Sequence, residues 1–171
     1  MIDLSTINHL YPKIIAQTET INQMLERASK GRVFARFDLT SWFWQIPVAE
    51  SARDPFSFTV HLPDGTTKSF RHVACPMGFV NSTQYSTLYL NRILSPLRDN
   101  LAIQVDDLLL WADDEDKLKE LVFTFLAILR THRITEKEEK CLVGVTELVF
   151  AGKLISHGHC TRWRRRQRIK V

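Results

Sequence analysis

Long apolar runs, paired cysteines and internal repeats are all missing from this chain of 171 residues. No apolar run approaches the roughly 20 residues that cross a bilayer, and the N-terminus lacks the basic-then-apolar order of a secretory signal. The three cysteines, Cys75, Cys141 and Cys160, are far apart and form no C-x-x-C pair. They indicate neither a disulfide framework nor a cysteine-rich zinc site. We therefore expect an intracellular protein that has no membrane partner.

The composition is that of one globular domain. Apolar residues make up 44% of the chain and charged residues 25%, with only six glycines and six prolines, which argues against disorder. The net charge of +4 is uneven, because residues 161–171 hold six of the 23 basic residues and no acid. The remaining 17 basic and 19 acidic residues give a body of −2. The Arg-rich tail is either a nucleic-acid anchor or a solvated appendage.

Apolar periodicity and turn residues predict an α+β chain with an antiparallel sheet. Thr20 and Gln23 are spaced as a capping box for a helix over residues 18–30. A second helix is expected from Asn81 or Ser82 to about residue 94, and a third up to about residue 133. In the second helix, one apolar side is expected, formed by Tyr85, Leu88, Tyr89 and Ile93. Strands are predicted over residues 33–37, 56–61, 66–73, 101–105, 108–112, 147–150 and 153–156.

Three aspartates stand where buried strands end. Asp38 follows the first strand, while Asp106 and Asp107 separate two apolar runs and are expected to form the tip of a tight hairpin. Adjacent carboxylates repel one another, and a divalent cation removes that penalty. Three hard oxygen ligands suit Mg²⁺ and two-metal phosphoryl transfer. The alternative is that the Asp–Asp pair is a solvated turn.

Three motifs in order carry a family resemblance. They are FARFDLTSWFWQIP at 34–47, CPMGFVN at 75–81 and QVDD at 104–107. Together they closely resemble the reverse transcriptases of gypsy-like LTR retrotransposons. Lys140-Cys141 and FAGKLIS at 150–156 resemble later motifs of the same family, its palm lysine and primer grip. The similarity therefore covers nearly the whole chain up to residue 156.

This resemblance implies a polymerase palm with partial fingers. The palm would be a split βαβ fold, an antiparallel sheet with helices on one face. Residues 1–160 would form a single unit, fingers-like over 1–12 and 47–81 and palm-like over 13–46 and 82–160. Residues 161–171 would be the Arg-rich tail.

The resemblance also implies the catalytic groups. Asp38 and Asp106 would hold Mg²⁺ (or Mn²⁺), Asp107 would be a more peripheral ligand, and the Leu39 carbonyl could add an oxygen. The primer 3′-oxygen would attack the α-phosphate of a dNTP, and Lys140 would protonate the leaving pyrophosphate. The alternative for Lys140 is a surface lysine within an acidic run.

Five further residues would contact the substrate. Phe43 matches an aromatic residue under the incoming sugar, where a ring clashes with a ribose 2′-hydroxyl, although composition alone favours a core residue. Gln45, Met77 and Gly78 resemble positions that flank nucleotide and template. Gln104 replaces the usual tyrosine of its motif, which puts a flexible amide near the primer end.

These features predict a fragment of an RNA-directed DNA polymerase that binds dNTPs and a primed RNA or DNA template. The family has more fingers strands before this segment, and thumb, connection and RNase H regions after it, so the isolated chain is expected to be weak or inactive. A cytoplasmic particle or the nucleus is the expected location. The alternative is an inactive or co-opted retroelement remnant that at most binds nucleic acid, and an RNA-dependent RNA polymerase is a more distant one.

Overall fold

The computed structural model describes residues 3–15 and 19–162, and the contacts divide the chain into two compact units. The smaller unit comprises Met1–Ala16 and Ser41–Ser86, and the larger comprises Gln17–Thr40 and Thr87–Val171. The sequence predicts a single unit whose parts meet after residues 12, 46 and 81, a few residues away from these contact boundaries.

Four α-helices, five short 3-10 helices and nine strands make up the regular structure of the described residues. The helices are α1 (Ser5–Asn8), α2 (Ile21–Ala28), α3 (Ser82–Ile93) and α4 (Glu115–Thr131). The strands are β1 (Val33–Asp38), β2 (Ser57–His61), β3 (Thr67–Arg71), β4 (Leu101–Gln104), β5 (Asp107–Ala112), β6 (Leu142–Val145), β7 (Glu147–Phe150), β8 (Lys153–Ser156) and β9 (His159–Arg162). None of these helices combines the length and apolar character that a membrane span needs.

A four-stranded antiparallel sheet forms the centre of the larger unit, in the order β4-β5-β1-β6. Strand residues alternate between its two faces. Phe37 faces α4, where its ring lies 4.6 Å from that of Phe125. Phe34 and Trp111 face the other way and pack with α2 and the small sheet β7-β8-β9. Helices therefore cover both faces, whereas the sequence predicts helices on one, because α2 returns to the face opposite α4.

The local sequence signals explain most of these elements. Thr20 and Gln23 form the predicted capping box at the start of α2. Gly31 follows that helix, and a Cβ at this position would lie 2.7 Å from the Cβ of Trp111, so only glycine fits there. The predicted turn between β2 and β3 is confirmed, because Asp64 accepts hydrogen bonds from the backbone and hydroxyl of Thr66.

Three predictions about these elements need correction. The predicted apolar side of α3 is wrong, because Tyr85 and Leu88 are 48% and 45% exposed while Ser86 and Leu90 are fully buried. The buried face of this helix thus includes a serine, so hydrophobicity alone misplaces it. Strands β6 and β9 are absent from the prediction. The Arg-rich tail predicted to start at residue 161 begins inside β9, and residues 163–171 lie outside the described part.

The smaller unit has its own apolar core. Phe79 lies at its centre, with ring centroids 5.2 Å from Tyr11 and 5.0 Å from Phe56, and Leu4 and Val48 pack against the same cluster. Edge-to-face rings of this kind add stability beyond their buried area. This core supports the β2–β3 hairpin, whose own side chains are mostly exposed.

The packing of α4 predicts a contrast between two phenylalanines on one helix. Phe125 is fully buried and Phe123 is 74% exposed. We expect Phe125→Ala to lower the free energy of unfolding by about 3–5 kcal/mol, because it leaves a cavity under the sheet. Phe123→Ala should change it by no more than about 0.5 kcal/mol. Urea unfolding followed by circular dichroism measures both, and equal losses would contradict this placement of the helix.

Candidate active site

The strand register places two carboxylates opposite each other at one end of the central sheet. Asp38, the last residue of β1, pairs with Asp107, the first residue of β5. Directly opposed residues have side chains on the same face, with Cβ atoms about 5 Å apart. Their side chains are only 14% and 19% exposed, so water screens the repulsion weakly. Each carboxylate therefore needs a positive partner.

Asp107 is neutralised by Arg36, two residues before Asp38 on the same face of β1. The guanidinium Nε and Nη2 donate to the two Asp107 carboxylate oxygens at 2.7 and 2.6 Å. Its Nη1 donates to the Val149 carbonyl oxygen at 3.1 Å, which links β1 to the small sheet. This bidentate geometry is the strong form of an arginine–carboxylate pair. Both oxygens of Asp107, predicted as a metal ligand, are thus engaged within the chain.

Asp38 is neutralised by Lys140. The ammonium Nζ lies 2.9 and 3.1 Å from the two carboxylate oxygens. A short 3-10 helix, Glu138–Lys140, carries this lysine, and it is held beside β1 because the backbone N–H of Lys137 donates to the Asp38 carbonyl at 2.7 Å. The hydrogen bond to Asp38, together with the charges of Asp38 and Asp106, raises the pKa of Lys140. The lysine is therefore charged at neutral pH.

Asp106 joins the site through the backbone. Its carbonyl oxygen accepts a hydrogen bond of 2.8 Å from the N–H of Leu39, the residue after Asp38. The two-residue turn between β4 and β5 is Val105-Asp106, and Asp107 already pairs with Gln104. The predicted turn, Asp106-Asp107, is thus shifted by one residue. Val105 has a φ of 60°, which is strained for a β-branched side chain.

The remaining predicted residues fall in different places. Leu39 is buried beside Asp38, and Gln104 is half-buried at the end of β4. Phe43 and Gln45 are half-buried in the 3-10 helix Trp42–Gln45 of the smaller unit. The same unit contains Met77, which is 52% exposed, and Gly78, whose φ of 93° favours glycine.

The donor chemistry at this end of the sheet fits a divalent cation in part. Among residues 3–15 and 19–162, no three His, Cys, Asp or Glu side chains are grouped as a ready metal site. The three acids predicted to bind metal together therefore do not form one ligand group, because the Asp107 carboxylate is bound by Arg36. Asp38 and Asp106 still offer hard carboxylate oxygens at one backbone junction, and Asp38 already binds a cation, the Lys140 ammonium.

Arg36 is the functional residue that the sequence reasoning missed. The residue lies within the FARFD motif, in which the sequence predicts a function only for the aspartate. The signal in the sequence is the spacing of two, which places Arg36 and Asp38 on the same face of an otherwise apolar strand. A charged residue at such a position needs a partner on the same face of a neighbouring strand.

Comparisons with known proteins show which family the chain resembles. Residues 2–155 match the family model for reverse transcriptase (RNA-dependent DNA polymerase). The Gag-Pro-Pol polyprotein of Human T-cell leukemia virus 2 is 30% identical over 131 residues, 72% of this chain and 9% of that polyprotein. Polyprotein P3 of Commelina yellow mottle virus is 20% identical over 142 residues, 83% of this chain and 7% of that protein.

The fold is also that of a solved reverse transcriptase. The foamy viral protease-reverse transcriptase, solved in complex with an RNA/DNA hybrid, superposes with a TM-score of 0.80 at 20% identity, covering 94% of this chain and 21% of that one. A structure of that viral protein with double-stranded DNA gives the same score over 92% and 27%. The central sheet is thus a polymerase palm, as the sequence predicts.

This chain belongs to the reverse transcriptase family, as a domain fragment with homologues among viral polyproteins. It spans less than a tenth of the length of the two polyproteins described above. Reverse transcriptases generally use divalent metal ions.

The Arg36–Asp107 pair predicts a difference between two arginine variants. Arg36→Ala leaves a largely buried carboxylate facing Asp38, so we expect the free energy of unfolding to fall by about 2 kcal/mol. Arg71→Ala is the matched control, because the side chains of Arg71 and its partner Asp54 are 51% and 79% exposed, so its loss should leave the free energy of unfolding nearly unchanged. Urea unfolding at pH 7 measures both changes. A loss for Arg36→Ala as small as that of the control would contradict the structural role of this pair.

Proposed function

We propose that this chain is the fingers and palm part of an RNA-directed DNA polymerase, which adds dNTPs to a primer 3′ end along an RNA or DNA template. One observation carries the proposal: the β1 strand end and the β4–β5 turn bring Asp38 and Asp106 to a single backbone junction on a palm sheet. The order and residues of the three motifs favour a gypsy-like LTR retrotransposon as its source. A cytoplasmic particle or the nucleus is the location we infer from that source.

Mg²⁺, or Mn²⁺ in its place, is the cofactor we propose. Asp38 and Asp106 are the residues that would hold it, since carboxylate oxygens are its preferred ligands and both lie at the junction. When bound, the metal stabilises charge on the attacking and leaving oxygens of the transfer. Asp107 supports the site indirectly, because Arg36 holds it in place.

The protein groups around the acids have separate tasks in this proposal. The primer 3′-oxygen attacks the α-phosphate, the bond to the β-phosphate breaks, and pyrophosphate leaves. The Lys140 ammonium, which is charged at neutral pH as lysines ordinarily are, donates the proton that the pyrophosphate takes up. The backbone carbonyl of Leu39 is a further oxygen ligand in this scheme.

Substrate selection is assigned to side chains by their match to the family motifs. Phe43 is proposed to exclude the ribose 2′-hydroxyl, because a ring offers no acceptor for it. Gln45, Met77 and Gly78 are proposed to contact nucleotide and template. Gln104 would approach the primer end as an amide. Thumb, connection and RNase H regions of a longer polyprotein are the partners that this assignment implies.

Primer extension tests the polymerase assignment. Purified chain is incubated with a primed RNA template, dNTPs and Mg²⁺ or Mn²⁺, and extended primer is resolved on a gel. We expect weak extension that Asp106→Asn reduces at least about 100-fold, because metal ions supply several kcal/mol of transition-state stabilisation. Asp113→Asn, the same change at an exposed acid, should retain activity. Wild-type extension no greater than that of Asp106→Asn would favour an inactive or co-opted remnant.

Sugar discrimination tests the role of Phe43. In the same assay with rNTPs, Phe43→Ala should reduce the preference for dNTPs over rNTPs by about 10- to 100-fold, since removal of the ring makes room for the hydroxyl. Trp44→Ala is the control, because Trp44 is the adjacent aromatic residue and is 51% exposed. An unchanged preference in Phe43→Ala would show that sugar selection resides elsewhere.

A further inference from the structure

The two facing aspartates are neutralised by cations of different kinds. Arg36 projects from the centre of a strand, makes three hydrogen bonds and has a side chain that is only 29% exposed. Lys140 projects from a three-residue 3-10 helix and has a side chain that is 52% exposed. Within the described part of the chain, its ammonium donates to a single carboxylate, that of Asp38. The two pairs therefore differ in what it costs to open them.

Opening the Arg36 pair would leave several buried groups unsatisfied. Both Asp107 oxygens and the Val149 carbonyl would lose donors, and Asp107 would then face Asp38 without a counter-charge. Opening the Lys140 pair moves one ammonium on a flexible stem into water that already reaches it, and the Asp38 carboxylate left behind needs only another cation in its place. Lys140 is thus the cation that exchanges at low cost.

A divalent cation and the ammonium need the same atoms. Lys140 lies within 3.1 Å of both oxygens of Asp38, so a metal ion that binds this carboxylate competes with the lysine for them. The metal ion and the ammonium, both positive, also repel each other at that distance. Asp106 is part of the same competition, because its negative charge also stabilises the Lys140 ammonium. Metal binding and the Asp38–Lys140 contact are therefore linked and mutually unfavourable.

We propose that Lys140 is the exchangeable counter-ion of the metal-free site: it neutralises Asp38 until a divalent cation takes its place on that carboxylate. The inference rests on the proposed function only in taking Asp38 and Asp106 as the metal-binding residues. It adds that metal binding releases the ammonium from Asp38. The lysine becomes available to a triphosphate in the same step that prepares the site, so the two events are coupled without any large movement of the fold.

The test measures binding of Mn²⁺ alone to the full chain, without nucleic acid or nucleotide, from the electron paramagnetic resonance signal of free Mn²⁺. Lys140→Met should bind Mn²⁺ at least about fivefold more tightly than the wild type, since about fivefold is the Coulombic factor for two unit charges 4 Å apart in water and the ion carries a double charge. Lys140→Arg keeps the charge and should stay near the wild-type affinity. Lys137→Met removes an equal charge three residues away, from a lysine paired with Glu139, and should also stay near it.

A further pair of variants locates the bound ion. Adding Asp106→Asn to Lys140→Met should abolish the gain in affinity, because the ion is then no longer held by both acids. Equal Mn²⁺ affinities for the wild type, Lys140→Met and Lys137→Met would overturn the inference while leaving the proposed function intact. An equal gain in both methionine variants would also overturn it, since net charge alone would then explain the change. No binding by any variant would overturn the inference and the proposed metal chemistry together.

Discussion

Repulsion between Asp38 and Asp107 is the constraint on which this end of the sheet depends. The antiparallel register of β1 and β5 forces the two carboxylates onto one face, and their low exposure prevents water from screening them. Without cations, two largely buried carboxylates would face each other with no counter-charge, which is costly for the fold. Arg36 and Lys140 offset this repulsion, the first from strand β1 itself and the second from the 3-10 helix Glu138–Lys140.

The backbone of the β4–β5 turn also helps to position the acids of the site. Val105 adopts a positive φ, a conformation that costs on the order of 1–3 kcal/mol for a residue other than glycine. The Asp106 carbonyl in this turn accepts a hydrogen bond from the Leu39 N–H. Strain of this size persists only where neighbouring contacts fix the chain. Here the apolar strands on both sides of the turn, with Leu108 and Ile103 buried, supply those contacts. Apolar packing around this turn thereby fixes the backbone of Asp106 beside Asp38.

Sequence reasoning predicted the strands of this site better than its turn. The run Val33–Asp38 is recognisable because apolar residues occupy both of its faces and a carboxylate ends it. The turn was placed one residue too late because aspartates favour turns and β-branched residues disfavour positive φ. Tertiary packing overrides both preferences at Val105. For α3, apolar character points to Tyr85 and Leu88, whereas the helix buries Ser86, so the orientation of this helix is set by its tertiary surroundings and not by its own hydrophobic pattern.

The ion partners lie beyond local reasoning for a different reason. Arg36 and Asp107 are 71 residues apart, and Lys140 and Asp38 are 102 apart, so each pair depends on a register that no local pattern encodes. The choice of cation nevertheless has a physical logic. A guanidinium forms parallel bonds and is weakly hydrated, which suits a permanent pair between strands. An ammonium is a strongly hydrated point charge, which suits a carboxylate that has to accept another cation. The arginine on strand β1 therefore suits structural support, and the lysine on the 3-10 helix suits exchange with another cation.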